Sequence, residues 1–170
     1  AFTNADEELI EAFKRCILNR ASGDKSKVKF SVYAQDGVTV DKVYTITVSS
    51  HPHKDSLKNL FSRFGLDVKS AGKHIPSNLM LYPPSEKIQS LLGGLFSTDA
   101  GCVKQAHSLE YYTTSYNLAN DIKHLLLKFG IYSYVYSSYV TGYDYNCYKV
   151  RISQRDSLKL FGRYVLPYVI

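Results

Sequence analysis

Apolar positions along the chain fall into helical and strand periods, and their order repeats. Leu9, Ile10, Phe13, Cys16 and Ile17 form one helical stripe soon after a strand-like start at Phe2. Residues 28–33 and 44–48 alternate as strands, and Asp36-Gly37 supplies turn residues for a hairpin between them. The second strand, Thr45-Ile46-Thr47-Val48-Ser49-Ser50, leads through His51-Pro52-His53 into a helical pattern beginning Lys54-Asp55-Ser56-Leu57-Lys58-Asn59-Leu60-Phe61. The series then returns. Residues 111–129 pass from a strand end into an amphipathic helix with the stripe Leu118, Ala119, Ile122, Leu125 and Leu126. Residues 131–139 and 148–152 read as a hairpin around Thr141-Gly142, and Arg155-Asp156-Ser157-Leu158-Lys159-Leu160-Phe161 opens another helix. Asp55-Ser56-Leu57-Lys58 and Asp156-Ser157-Leu158-Lys159 are identical. The reading is an α+β chain with a pseudo-twofold repeat, residues 1–84 forming the first copy and 85–170 the second.

Between the copies, residues 85–97 begin Ser-Glu after Pro-Pro and place Ile88, Leu91, Leu92, Leu95 and Phe96 at helical spacing. A strand over Cys102-Val103-Lys104 follows. The second copy thus starts with a helix that the first lacks, and the repeat predicts about one helix and most of one strand upstream of Ala1.

Composition narrows the partners. The chain has 170 residues, 45% apolar, enough for one well-cored domain. A formal charge of +6 suits a polyanionic partner such as nucleic acid. Cys16, Cys102 and Cys147 are odd in number and lack metal-ligand spacing, and His51, His53 and His74 have no partners at such spacing. No secretory pattern and no apolar run of membrane-spanning length occurs. The expectation is therefore an intracellular protein, in cytoplasm, nucleoid or organelle, without a membrane partner.

The candidate chemistry lies in Leu91-Leu92-Gly93-Gly94-Leu95-Phe96-Ser97-Thr98-Asp99-Ala100-Gly101. Each glycine inside a helix costs roughly 1 kcal/mol relative to alanine. Gly93, Gly94 and Ser97 would repay that cost as a flat strip on which a second helix backbone packs. Asp99 stands at the helix end, where the dipole disfavours an anion unless a cation compensates it.

This stretch resembles the motif of the LAGLIDADG homing endonucleases, particularly their intein-borne form. Ser70-Ala71-Gly72-Lys73-His74-Ile75-Pro76 is similar to the family segment that ends Lys, any residue, Ile-Pro. The resemblance covers nearly the whole chain, and its specific part is the Asp99 helix. It implies one endonuclease domain over 1–170, with helices on one face of curved antiparallel sheets whose other face lies along double-stranded DNA. It also implies Mg²⁺, or another divalent metal, held by Asp99 with a second carboxylate from an upstream segment or partner chain. Lys73 would be a basic catalytic accessory. Relatives place Gly directly after the acid; here Ala100 intervenes, which predicts a lengthened turn.

Alternation assigns the DNA-facing side chains. They are Lys27, Lys29, Ser31 and Tyr33 on one strand, Thr45 and Thr47 on its neighbour, Lys104, Gln105, Ser108 and Tyr112 after the motif, and Lys149 and Arg151 on the last strand. Two other readings stay open. One is a cleavage-deficient DNA- or RNA-binding module or maturase of this fold, and the other is a basic α/β interaction domain.

Overall fold

The computed structural model describes residues 2–20, 28–36, 42–50, 62, 65, 67–140 and 145–170. The chain divides into two compact units, Ala1–Asp67 and Val68–Ile170.

In the first unit, strand β1 (Phe2–Asn4) leads into helix α1 (Glu7–Arg20) and the hairpin β2 (Val28–Gln35) and β3 (Val43–Ser50). Asp6 Oδ1 accepts from the backbone N–H groups of Glu8 and Leu9 at 2.9 and 3.2 Å, an N-terminal cap for α1. Leu9, Ile10 and Ile17 are buried, and Phe13 is half-buried. Cys16 is exposed, a correction to the expected stripe, because at 100° per residue it falls on the stripe's margin.

Three antiparallel strands form a sheet in the order β1-β3-β2. Its register sets Ser31 against Thr47 and Tyr33 against Thr45, so these four side chains share a face with Lys29. Ile46 is buried on the other face, while Val32, on the edge strand, stays exposed. The helix expected over residues 54–61, the residues Gly37, Thr141 and Gly142, and Lys27 lie outside the described residues.

The second unit begins with a single 3₁₀ turn (Ser70–Gly72) and the short helix α2 (Ser77–Leu81). Then come α3 (Glu86–Asp99), β4 (Ala100–Val103), β5 (Ser108–Thr113), α4 (Tyr116–Leu127), β6 (Tyr134–Val140), β7 (Tyr145–Ile152) and α5 (Arg155–Tyr164). The strands form an antiparallel sheet in the order β4-β5-β7-β6. Its core unites Ile88, Leu92 and Phe96 of α3, all five stripe residues of α4, Tyr111, Val150, Ile152 and Phe161. Burial of each large apolar side chain contributes roughly 1.5–3 kcal/mol. The Phe96 ring lies 5.5 Å from Tyr111 and 4.8 Å from Phe161, which ties α3 to the sheet and to α5.

The series β1-α1-β2-β3 and β5-α4-β6-β7 have the same element order, and their sheets share the strand order first, third, second. Helix α3 and strand β4 precede β5. No helix among the described residues is long and apolar enough to cross a membrane.

Candidate active site and nucleic-acid face

Helix α3 positions the candidate acid. The two glycines at its centre have different surroundings. A Cβ on Gly93 would lie 2.5 Å from Tyr168, against both its side chain and its backbone oxygen. Ser97 Oγ donates to Gly93 O at 2.7 Å and accepts from Ile170 N at 2.9 Å. Gly93 and Ser97 therefore receive the chain's own C-terminal turn, a correction to the strip expected for a second helix. Gly94 is different: it is exposed, and nothing lies within 4 Å of the place its Cβ would take. With exposed Ser90 and Thr98 one turn away on either side, it forms a narrow face of small residues.

Asp99 is the last residue of α3 and is exposed. Thr98 Oγ1 donates to its Oδ2 at 3.1 Å. Ala100 has extended geometry (φ −115°, ψ 158°) and pairs at once with Tyr111, so the helix runs directly into β4. The lengthened turn expected from Ala100 does not form, because strand pairing claims that residue.

Asp99 and Lys73 line one cleft of about 290 Å³, together with Ser70, Tyr111, Tyr112 and Cys147. Two anchors hold the backbone at Lys73 and just after it. Ser115, the N-cap of α4, donates from Oγ to Lys73 O and accepts from Leu118 N at 3.2 Å. Asp121 Oδ2 accepts from Ile75 N at 2.8 Å, and the Ile75 side chain is buried in the core. The Lys73 side chain itself is exposed. Burial, with the charge of Asp99 added, pushes the Tyr111 phenol above its ordinary range, so this wall of the cleft stays neutral.

The sheet face beside the cleft carries a second cluster. Glu110 pairs with Arg151 across β5 and β7, and Tyr112 with Lys149. Glu110 is buried, yet its carboxyl is satisfied: Oε2 accepts from Tyr112 at 2.9 Å and Oε1 from Tyr136 at 2.7 Å. Arg151 Nε and Nη2 both reach Oε1 at 2.5 Å. Burial alone would raise the Glu110 pKa; the hydrogen bonds from Tyr136, Tyr112 and Arg151, with the guanidinium charge, outweigh it and hold the pKa below the usual carboxylate value. Lys149 Nζ lies 5.5 and 5.7 Å from the Tyr112 and Tyr136 ring centres, and the Arg151 guanidinium lies 4.9 Å from that of Tyr136.

Of the residues expected to face DNA, Lys29, Ser31, Tyr33 and Thr47 are exposed on the first unit's sheet, with Thr45 half-buried on the same face. Lys149 and Arg151 occupy one face of the second sheet. Lys104 and Gln105 are not on a strand: both are exposed in a one-turn 3₁₀ connection that ends at His107 in the left-handed region (φ 44°). Ser108 is buried with its hydroxyl unpartnered, and Tyr112 turns its hydroxyl inward to Glu110, so neither presents a free polar group. Sequence reasoning missed Glu110, Tyr136, Ser115 and Asp121. A lone acid amid Leu109-Glu110-Tyr111-Tyr112 was the visible signal, but its partners emerge only from strand register.

Residues 86–165 match the model of the LAGLIDADG-like domain. The replicative DNA helicase DnaB of Nostoc sp. is 37% identical over 103 residues, which are 58% of this chain and 11% of that protein. The replication factor C small subunit of Methanocaldococcus jannaschii is 28% identical over 161 residues, 94% of this chain and 8% of that protein. This chain thus spans a small part of the length of either. Among solved structures, that of I-DmoI in complex with DNA and Mn is similar over 97% of this chain and 78% of that chain, with TM-score 0.59 and 18% identity. The fold is that of the LAGLIDADG homing endonucleases. Residues 86–165 are thus similar in sequence to a LAGLIDADG-like domain, and the chain shares the fold of the solved I-DmoI structure.

Proposed function

We propose that the protein is a site-specific DNA endonuclease of the LAGLIDADG type, which lies along duplex DNA on its sheet faces and hydrolyses phosphodiester bonds at Asp99. The observation that carries this reading is the exposed Asp99 at the end of α3, in one cleft with Lys73 and within the matched domain. The formal charge of +6 and the basic residues of the sheet faces support a polyanionic partner. Structural relatives with this fold are complexes with target DNA in the presence of Mg or Mn.

A divalent cation fits what surrounds Asp99. An exposed carboxylate at the negative end of a helix dipole favours a hard cation as partner, and its oxygens are suitable ligands. Among the described residues no three His, Cys, Asp or Glu side chains cluster, so Asp99 supplies part of a site rather than a full cage. When bound, Mg²⁺ or a similar ion supplies positive charge at the scissile phosphate and a more acidic water. Lys73, which lines the same cleft, adds charge stabilisation. The second carboxylate comes from a helix docking on the face of Ser90, Gly94 and Thr98, where backbones approach closely. That helix belongs to an upstream segment or to a partner chain.

The two halves are copies of one unit, residues 1–84 and 85–170, within one domain; the shared strand order supports this. An intein-borne origin is supported by the matches to short stretches of two differently named proteins, a helicase and a replication factor subunit. The expected setting is intracellular.

That Asp99 is the one carboxylate among the described residues lining the cleft also favours a second reading, a nucleic-acid-binding module that no longer cuts. The decisive comparison is metal-dependent nicking of a random-insert plasmid library by the chain, alone and with a supplied acidic helix, for wild type and Asp99→Asn. Nicking by wild type with binding but no nicking by the variant supports the enzyme. Binding without nicking in every combination supports the second reading, and equal nicking by the variant removes Asp99 from the mechanism.

A further inference from the structure

The polar face of the second sheet contains two cations in different electrostatic states. Lys149 rests over the Tyr112 and Tyr136 rings, and among the described residues no carboxylate lies within ion-pair distance of it. Its full charge is available to a polyanion. Arg151 lies one step along the same strand, and its charge is largely cancelled by Glu110, whose side chain is only 2% exposed while that of Arg151 is 37% exposed. A cancelled charge adds little to general attraction for phosphate, so that pair needs another use. Its geometry indicates one. The carboxylate takes Nε and Nη2, one edge of the guanidinium, and the guanidinium's central carbon lies 4.9 Å from the Tyr136 ring centre. The other edge, Nη1 with the second Nη2 hydrogen, is not used by this pair. Such an edge, fixed in orientation, matches the two acceptors O6 and N7 that guanine alone presents in the major groove.

We propose that Glu110 is a specificity-determining positioning residue: it fixes Arg151 so that the guanidinium edge Glu110 does not occupy reads one guanine of duplex DNA, while Lys149 contributes attraction that is independent of sequence. This deepens the DNA-binding reading given above and rests on it. Glu110 touches no nucleotide. It acts through Arg151, with Tyr112 and Tyr136 satisfying its remaining lone pairs.

The inference has an unusual signature, because removing Glu110's charge frees a cation. The full chain is incubated with a random-sequence duplex pool, and bound sequences are read after successive rounds. A salt series on unselected duplex is run in parallel. The wild type is expected to enrich a position that is invariably guanine. In Glu110→Gln the preference there falls roughly 5- to 150-fold. Affinity for unselected duplex holds or rises, with the salt slope steeper by about 0.9 as Arg151 becomes free to neutralise a phosphate. Lys149→Gln does the reverse, lowering affinity and slope while keeping the guanine. Arg151→Lys keeps a charge beside Glu110 without the planar fork, and so decides the matter if Glu110→Gln fails to fold; it is expected to lose the guanine at unchanged affinity for unselected duplex. Retention of the guanine preference in a folded Glu110→Gln, or in Arg151→Lys, overturns the inference alone, as does a wild-type pool with no guanine-enriched position. Absence of salt-dependent binding by the wild type overturns the DNA-binding reading itself.

Discussion

Alanine at the two adjacent glycines of α3 is expected to have opposite effects on stability. At Gly94 the added methyl meets open space, so the change reduces to intrinsic helix propensity, a gain of roughly 1 kcal/mol. At Gly93 the same gain competes with contacts of 2.5 Å to Tyr168 and 2.6 Å to its backbone carbon, which cannot be relieved by rotating a flexible side-chain end. Overpacking of this kind costs about 1–3 kcal/mol. Moving the C-terminal turn also weakens the bond from Ile170 N to Ser97 Oγ, worth about 1 kcal/mol. The net loss at Gly93 is about 1–3 kcal/mol, and the two variants should differ by roughly 2–4 kcal/mol. Urea unfolding read by tyrosine emission, free of tryptophan interference because the chain has none, measures the difference. Equal shifts for both variants, or destabilisation at Gly94 alone, would refute the placement of the C-terminal turn against Gly93. In the presence of a supplied acidic helix, Gly94→Ala should weaken assembly while remaining more stable alone, since it fills the docking face.

Several further outcomes test other parts of the structure. Ser115→Ala removes both the cap of α4 and the bond to Lys73 O, and is expected to cost about 1–2 kcal/mol in unfolding experiments and to lower nicking activity more than Gln154→Ala does, the latter being a cap without a side-chain bond. Ile122→Ala, in the fully buried stripe of α4, should destabilise by about 2–5 kcal/mol in the same assay. The folded Glu110 has a lowered pKa, so its contribution to stability is present above the ordinary carboxylate value and is lost as pH falls through the folded value; Glu110→Gln should flatten the acid limb of a stability–pH curve. Tyr136 is pushed up to about 12, mainly by burial, so its contribution is full below the ordinary phenol value of 10.0 and fades as pH rises toward 12; Tyr136→Phe should flatten the alkaline limb.

Much of this architecture was legible from periodicity. The α4 stripe is buried residue for residue, because a one-sided helix leaves an unambiguous pattern. The assignments that failed depended on contacts between residues distant in sequence. Gly93 and Ser97 looked like a strip for another helix, and only the position of residues 168–170 shows what covers them. Lys104 and Gln105 read as a strand continuation, whereas the tight β4–β5 connection coils them into a 3₁₀ turn. Of the candidate site, Asp99 and Lys73 were visible through motif resemblance and do line one cleft. Glu110 was invisible because alternation marks a face as polar without distinguishing a solvated side chain from one held in a buried network. The anchors of the Lys73 loop, Ser115 and Asp121, were equally hidden, since each reaches a backbone group more than forty positions away.

DNA binding through the basic sheet faces is decided by equilibrium binding to random-sequence duplex DNA across a salt series. Affinity is expected to fall steeply and linearly in logarithmic coordinates as salt rises, with the slope reduced by about 0.9 for each phosphate-contacting cation removed, Lys149 and Lys29 first among them. Affinity that is undetectable at low salt, or that does not change with salt, would contradict it.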